Sequence, residues 1–230
     1  MKAASFQRLQ GVSMGLLAGY VDTLGFIALF GLFTAHVTGN FVLIAVSLAE
    51  PAQTPSLLKL LAFPAFILGV AAARLLVASC ERRGVSAVKP SYALQLVLLL
   101  GFMGCGMLAE PVGNSAGPLA MAAGLLGTLA MGAHSAASKL LLTHLAPTSM
   151  MTGNVTQLVI DGVDWLRGAG DAATRARCGK FFWPVAAFAL GCAMAAFAYV
   201  AVGFVALAVP LALLCLHLCL PEPAAAPAHP

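Results

Sequence analysis

The stretch TAHVTGN at residues 34–40 decides how this chain is interpreted, because TSMMTGN follows it at residues 148–154. The two stretches share four of seven residues and lie 114 positions apart in a chain of 230 residues. Their polar residues interrupt very apolar sequence, and lipid cannot satisfy the backbone groups that a turn exposes. Interruptions at matching places in two halves are typical of the binding site of a duplicated transporter. The candidate binding residues are Thr38, Gly39, Asn40, Thr152, Gly153 and Asn154.

The composition predicts an integral membrane protein. Hydrophobic residues make up 61% of the chain and charged residues 9%, and the mean hydropathy is +0.96. A soluble domain carries roughly 25% charged residues, so this chain has too little polar surface to cover a water-soluble globule. The net charge of +4 forms no basic stripe interleaved with aromatic residues, which argues against a nucleic-acid partner. The expected partner is the lipid bilayer, and the expected location is the bacterial cytoplasmic (inner) membrane.

Six apolar runs approach the length of about 20 residues that crosses a bilayer as a helix. They cover residues 10–33, 57–79, 92–108, 118–145, 181–204 and 205–220. Two further segments, 38–49 and 152–165, begin at the Thr-Gly-Asn turns and are too short to cross comfortably. We expect them to be half-helices, and the sequence leaves open whether they re-enter the membrane, lie at its surface or cross it.

Basic residues orient the predicted spans. With both termini in the cytoplasm and the half-helices not crossing, eleven of the twelve Lys and Arg residues lie on the cytoplasmic side, and only Lys59 lies outside. This distribution follows the positive-inside rule. The predicted fold is therefore all-α, with six transmembrane helices as two inverted three-helix repeats, 1–110 and 111–220, before a disordered Ala/Pro tail, 221–230. Half-helices that crossed would instead give four spans per repeat and parallel copies.

Two pairs of motifs carry a resemblance to a known family. Gly19-Tyr20-Val21-Asp22 precedes the first Thr-Gly-Asn, and Met131-Gly132-Ala133 precedes the second. With these motifs the chain resembles the YoaK-like family of small bacterial membrane proteins, a domain of unknown function. His134 and Ser135 stand where that family often has Gln-Asn, and Lys139 stands where an arginine is common. The resemblance implies a polytopic membrane protein and no established activity.

Asp22 is the sharpest single candidate, because it lies near the middle of the first predicted span. A carboxylate at the bilayer centre costs at least about 2.5–3.5 kcal/mol on insertion scales, so it should face the bundle interior. Asp22 is either a proton or cation site or one member of a buried structural pair. Lys139 is a candidate partner, and its alternative is to extend toward the cytoplasmic interface.

Three further residues are weaker candidates for coupling transport to protons. His36 precedes the first Thr-Gly-Asn, and His134 lies near the middle of its predicted span. A lone histidine in an apolar helix is more often a hydrogen-bonded core residue than a titrating group. Asp161 lies one turn deeper in the second half-helix than Asp164, which can pair with Arg167 at the interface.

These features predict a small-solute transporter or channel with a midplane site. The two Thr-Gly-Asn turns, entering from opposite sides, are expected to approach each other there, with Asn40 close to Asn154. Half-helix N-termini carry partial positive charge, which suits an anionic or dipolar solute. No catalytic motif, cofactor motif or metal-ligand spacing is present in the sequence, so we expect no enzyme activity, cofactor or metal. A non-transporting scaffold or accessory subunit is the alternative, and a homo-oligomer stays open.

The inverted topology predicts which loops an impermeant thiol reagent can reach. With the native cysteines replaced, a cysteine at Ser115 should react in intact cells, whereas one at Ser86 should react only after permeabilisation. Labelling of both positions from the same side would contradict the six-crossing arrangement.

Overall fold

The computed structural model describes residues 3–49, 57–113 and 116–221, and it is helical without strands over these residues. Its helices are α1 (Ala3–Ala28), α2 (Gly39–Ala49), α3 (Leu57–Arg82), α4 (Val88–Ala109), α5 (Pro118–Leu140), α6 (Met151–Leu166), α7 (Ala172–Val202) and α8 (Ala208–Cys219). Five stretches of the described chain are long and apolar enough to cross a membrane, and the last of them contains both α7 and α8. The molecule is therefore a multi-pass α-helical membrane protein. Ser115 and nearly all of the predicted tail lie outside the described residues.

α1 and α7 are in backbone contact through glycine. A Cβ atom at Gly15 would lie 2.6 Å from the carbonyl oxygen of Pro184, and one at Gly19 would overlap the carbonyl oxygen of Phe188. The contact advances four residues along both helices, so α1 and α7 are parallel. From the other side, a Cβ atom at Gly191 would overlap a backbone carbonyl of α1. Small residues allow this close approach between membrane helices.

α3 and α5 repeat the same arrangement. Gly124 lies against Leu58, and a Cβ atom at Gly132 would overlap the carbonyl oxygen of Phe66. The contact again advances equally along both helices, so this pair is also parallel. Gly69 of α3 meets the backbone of α5 from the opposite side. Small residues recur every fourth position at Gly11, Gly15 and Gly19 in α1 and at Gly124, Thr128 and Gly132 in α5. This spacing predicts helix-packing faces, and the contacts confirm it. The first long helix of each sequence half thus packs on a helix of the other half.

Three sets of contacts give the directions of the remaining long helices, α4 and α8. In each of three contacts the residue numbers of one segment rise as those of the other fall. Between α4 and α5 the contacts are Gln95–His134 and Phe102–Gly127. Between α4 and the C-terminal segment, residues 203–219, they are Tyr92–His217 and Phe102–Phe204. Between α1 and that segment they are Ser13–His217 and Tyr20–Ala206. Consequently α1, α4 and α7 run in one direction and α3, α5 and α8 in the other.

The chain reverses between α7 and α8 at Gly203. This residue has a φ of 59°, in the left-handed region that glycine adopts without strain. A 3₁₀ segment, Gly203–Leu207, follows and leads into α8. The 3₁₀ segment has 5 residues and α8 has 12. Together they form about 28 Å of helix, which is nearly the thickness of the hydrocarbon core of a bilayer.

The ends of α1 and α7 differ from those expected from hydropathy. α1 stops at Ala28 rather than at residue 33, because Phe30 (φ 56°) and Gly31 (φ 73°) leave helical geometry. Asp22 is therefore not at mid-span: it lies six residues, about 9 Å, from the end of its helix. α7 begins at Ala172 rather than at residue 181, because the side chain of Asp171 accepts a hydrogen bond from the Thr174 N–H at 2.7 Å and caps the helix.

The short helices α2 and α6 begin alongside long helices rather than beyond the ends of those helices. Phe41, near the start of α2, packs on Phe63 with ring centroids 4.9 Å apart, and Phe63 lies six residues into α3. The turn before α6 bonds to His134, six residues before the end of α5. α2 has 11 residues and α6 has 16, about 16 and 24 Å of helix.

Adding a methyl group at a glycine crossing tests whether the backbone contact holds the fold together. Gly19→Ala is expected to lower the free energy of unfolding by about 1–3 kcal/mol, as overpacked cores do. Gly104→Ala in α4 is the matched control, because no heavy atom lies within 4 Å of its added Cβ, and it should be neutral or stabilising. Thermal unfolding in detergent, followed by circular dichroism, measures both; equal midpoints for the two variants would contradict the prediction.

Candidate functional site

Asp22 is a buried carboxylate held by the turn that follows its own helix. One carboxylate oxygen, Oδ1, accepts hydrogen bonds from the backbone N–H of Ala35 at 2.7 Å and from the hydroxyl of Thr34 at 3.3 Å. The other, Oδ2, lies 2.6 Å from Nδ1 of His36. The side chain of Asp22 is only 5% exposed, so nearly all of its hydrogen bonding is supplied by protein. These bonds repay the cost of burying the carboxylate.

The local sequence brings this turn back along α1. The left-handed residues Phe30 and Gly31 reverse the chain, and the fully buried Thr34 then fits against Gly25. A Cβ atom at Gly25 would lie 2.7 Å from the Thr34 methyl carbon, so glycine is needed for the turn to close. The polar backbone of residues 34–36 thereby meets the Asp22 carboxylate instead of lipid.

His36 connects the buried carboxylate to the surface. Its side chain is 36% exposed, and its ring lies edge-on to Phe188 with centroids 5.6 Å apart. When Asp22 is ionised, the Nδ1–H of His36 is the donor and Nε2 is left free to gain or lose a proton. The hydrogen bond to Asp22 raises the pKa of His36 above its usual value, against the effect of partial burial. The pair can therefore exchange a proton at Nε2 while Asp22 stays in place.

His134 occupies a similar position in the second half but has a different chemistry. Its Nε2 lies 2.8 Å from the hydroxyl of Thr148, and its Nδ1 lies 3.2 Å from the side-chain nitrogen of Gln95. The Thr148 hydroxyl in turn lies 3.4 Å from that of Ser138. A neutral imidazole satisfies this set, because one ring nitrogen donates and the other accepts. His134 is buried and has no carboxylate partner among the described residues, so it is a hydrogen-bonded core residue.

The asparagines of the two Thr-Gly-Asn turns are structural clamps. Asn40 donates to the carbonyl of Phe33 at 2.8 Å and accepts from the N–H of the same residue at 2.9 Å. Asn154 donates to the carbonyl of Pro147 at 2.7 Å, and proline has no N–H to return the second bond. Each buried asparagine thus closes its own turn. Thr38, Thr152 and Gly153 are exposed and Gly39 is half-buried.

The two turns do not meet as the sequence led us to expect. α2 packs on α3 and α6 packs on α7, and these two short helices make no contact with each other. The first N–H groups of α2 are already bonded, from Gly39 to His36, from Asn40 to Val37 and from Phe41 to Thr38. The expectation that Asn40 lies beside Asn154 is therefore wrong, because each turn folds back on its own preceding helix. An anionic or dipolar solute at the half-helix N-termini stays a prediction.

Neither Lys139 nor Asp161 is a partner of Asp22, which pairs with His36. Lys139 is exposed at the end of α5, so its pairing with Asp22 is wrong and its alternative, extension toward the interface, fits. Asp161 is buried and accepts from Arg177 at 3.1 Å and from Gln157 at 3.1 Å. The Arg177 guanidinium holds the pKa of Asp161 below its usual value, with Gln157 contributing. This ion pair attaches α6 to α7.

The sequence comparisons are consistent with a membrane protein. Residues 10–220 match the model of a family described as "Protein of unknown function (DUF1275)". The chain belongs to this family. It is also similar to the UPF0700 transmembrane protein YoaK of Bacillus subtilis (strain 168), with 30% identity over 162 residues, which cover 70% of this chain and 69% of that protein. No solved structure matches it significantly. The resemblance to YoaK-like proteins is thus confirmed.

A second polar cluster in this DUF1275 protein was not found from the sequence. Gln10 donates to the hydroxyl of Tyr92 at 2.7 Å, and Ser13 lies 2.6 Å from Nε2 of His217. The ring of His217 also packs on Tyr92, with centroids 5.5 Å apart. His217 stands between Cys215 and Cys219 in an apolar run, and nothing in that local sequence indicates its polar partners. The usable signal was the presence of four polar residues near the same predicted membrane surface in α1, α4 and α8.

The unequal asparagine clamps predict unequal stability losses. Asn40→Ala removes two hydrogen bonds to Phe33 and should cost about 2 kcal/mol. Asn154→Ala removes one to the Pro147 carbonyl and a weak one to the Met151 sulfur at 3.6 Å, and should cost about 1 kcal/mol. Thermal unfolding of both variants in the same detergent measures the difference. A larger loss for Asn154→Ala would contradict the clamp interpretation.

Proposed function

We propose that this protein is a proton-coupled transporter or channel for a small solute, with Asp22 and His36 as its proton site. The observation that supports this most is a buried carboxylate paired with a half-exposed imidazole in a turn that re-enters a membrane bundle. Ionisable groups at membrane depth are costly, and in transport proteins they mark ion pathways and proton relays. The pair can change its charge by one unit when Nε2 of His36 gains or loses a proton.

The architecture supports the same proposal. In the proposed arrangement, the two halves are inverted repeats of three crossings each, and α2 and α6 are half-helices that re-enter the membrane from opposite faces. The opposite directions of α1 and α5, and their matching contacts with α7 and α3, are what such a duplication produces. Inverted repeats with interrupted membrane segments are common among secondary transporters. The proton site then belongs to one repeat, because the second repeat has Ser135 in place of Asp22 and Met150 in place of His36.

An open cleft lies at the end of the bundle where α1 ends, and neither Asp22 nor His36 is among the residues that line it. It encloses about 990 Å³ and is lined by Ile27, Phe30, Glu110 and Tyr199, among others. Ile27 is five residues after Asp22 on α1, about 7.5 Å along the helix axis. On the opposite side, the glycine contacts of α1 with α7 close the path. In this proposal, separation of α1 from α7 opens the second half of the path.

A membrane scaffold without transport is the rival function, and one observation favours it. The Asp22 carboxylate is fully hydrogen-bonded by its own turn, so structure alone could explain its presence. Under this reading, replacing Asp22 should affect folding and nothing else. The two functions therefore differ in what a folded Asp22 variant does.

Solute-driven proton movement tests the proposal. We expect wild-type protein in liposomes loaded with a pH-sensitive dye to acidify or alkalise the lumen when a gradient of one member of a small-solute panel is applied. Asp22→Asn and His36→Gln should reduce that rate at least tenfold while keeping the helical content and detergent melting midpoint near those of the wild type. The hydrogen bond to Asp22 raises the pKa of His36. The His36 imidazole is therefore protonated below that pKa and loses its proton as the pH rises through it. The rate of proton movement should change across this pH range in the wild type and not in the two variants.

Asp164→Asn provides the matched control, because this half-exposed carboxylate belongs to an interfacial pair with Arg167 at 4.0 Å. It should keep the wild-type rate. Full activity in folded Asp22→Asn protein would remove Asp22 from the mechanism. A wild-type protein that moves no proton with any solute, while Asp22→Asn merely unfolds more easily, would favour the scaffold.

A further inference from the structure

A second cleft lies at the other end of the α1–α7 pair, away from Asp22. It encloses about 470 Å³ between the N-terminal part of α1, the N-terminal part of α7 and the turn after α5. Its polar lining residues are Gln7, Arg8, His144, Arg175, Lys180 and Trp183. Gly15 and Gly19 close the α1–α7 contact between this cleft and the proton site, so the cleft is a separate feature of the molecule.

The charge of this cleft is strongly one-sided. Arg8, Arg175 and Lys180 bring three cations from two helices, and no Asp or Glu is among the residues that line it. None of these cations takes part in an ion pair within the described chain, whereas neighbouring Arg177 is paired with Asp161. Burial lowers the pKa of His144, and the positive charge of Lys180 lowers it further. An anion would therefore find uncompensated positive charge here.

The shape of the cleft follows from two glycines. Gly11 contributes no side chain from α1, and a Cβ atom at Gly179 of α7 would meet nothing within 4 Å. Arg175, Gly179 and Trp183 are spaced four residues apart, so they share one face of α7. The glycine between the arginine and the tryptophan leaves room for a ligand larger than a single ion.

The surroundings point to a lipid as the source of that anion. Trp183 and its ring partner Phe182 are exposed beside the cleft, and tryptophan is enriched at membrane–water interfaces. Farther along α7, the exposed side chains of Leu190 and Phe197 continue an apolar surface that suits an acyl chain. Basic pockets between membrane helices are binding places for anionic headgroups.

We propose that this cleft binds the headgroup of an anionic phospholipid. Arg8 and Arg175 hold the phosphodiester oxygens through their guanidinium groups, which match phosphate geometry, and Lys180 adds a third charge. Trp183 lies at the level where the headgroup joins the acyl chains. A lipid held here contacts both α1 and α7 and so stabilises the pairing of these two helices.

Titration of the purified full-length protein in neutral detergent tests this proposal. The ligands are dioctanoyl phosphatidylglycerol, dioctanoyl phosphatidylcholine and inorganic phosphate, and native mass spectrometry with the thermal midpoint reports binding. We expect phosphatidylglycerol to bind at least about tenfold more tightly than phosphatidylcholine. Replacement of Arg8, Arg175 and Lys180 by Gln together should weaken phosphatidylglycerol binding at least about tenfold. Gly179→Leu, which fills the cleft without changing charge, should weaken it as well.

Replacement of Arg82, Arg83 and Lys89 by Gln is the matched control, because it removes the same charge near the same end of the bundle but outside the cleft. It should change the affinity less than about twofold, and every variant is first checked for wild-type helical content without added lipid. Equal weakening by both triple variants would mean that only surface charge attracts the lipid and would overturn the site. Inorganic phosphate that binds as well as phosphatidylglycerol would overturn the lipid as the ligand, and so would equal binding of the two lipids. Loss of solute transport does not enter this test.

Discussion

The backbone contact between parallel helices at glycine is the interaction on which the rest of this structure depends. In lipid there is no hydrophobic force between helices, so association relies on close packing and interhelical hydrogen bonds. Gly19 against Phe188, and Gly132 against Phe66, bring two helix pairs together at distances that no side chain would permit. Because each pair joins a helix of the first half to a helix of the second, the halves interlock and neither has a complete core of its own.

This interlocking determines where polar groups can be buried. α1 and α5 are the most buried of the membrane-length helices, and both carry the turns that bear the Thr-Gly-Asn residues. The turn after α1 satisfies its backbone through Asp22, and in the turn after α5 the Thr148 N–H donates to Ser138 while the Thr148 hydroxyl bonds to His134. Irregular backbone at membrane depth is tolerated where protein surrounds it. The side chains that looked like ligands for a solute are in large part the partners that these turns require.

The sequence predicted the class of the protein and the segments that resemble each other, but not the partners of those segments. Composition and run length gave the membrane helices, and four-residue glycine spacing gave the packing faces of α1 and α5. Hydropathy could not locate the end of α1, because Phe30 and Gly31 leave the helix through backbone geometry while staying apolar. That error moved Asp22 to mid-span and made Lys139 a partner for it. A repeat in sequence shows which turns are alike, and it does not show that each folds back on its own helix.

The contacts also change how the two halves are aligned, and the new alignment sharpens the chemical difference between them. Gly132 lies 113 residues after Gly19, and the same shift puts Ser135 opposite Asp22. The Thr-Gly-Asn turns and the residues that their asparagines hold, Phe33 and Pro147, are 114 residues apart, so the second half holds one extra residue between Ser135 and Pro147. In the second half Ser135 hydrogen-bonds to Ser149, and neither residue carries a charge. Only the first half carries the carboxylate and the imidazole at this place, and their cost in lipid is not required for closing such a turn, since the second turn closes without them.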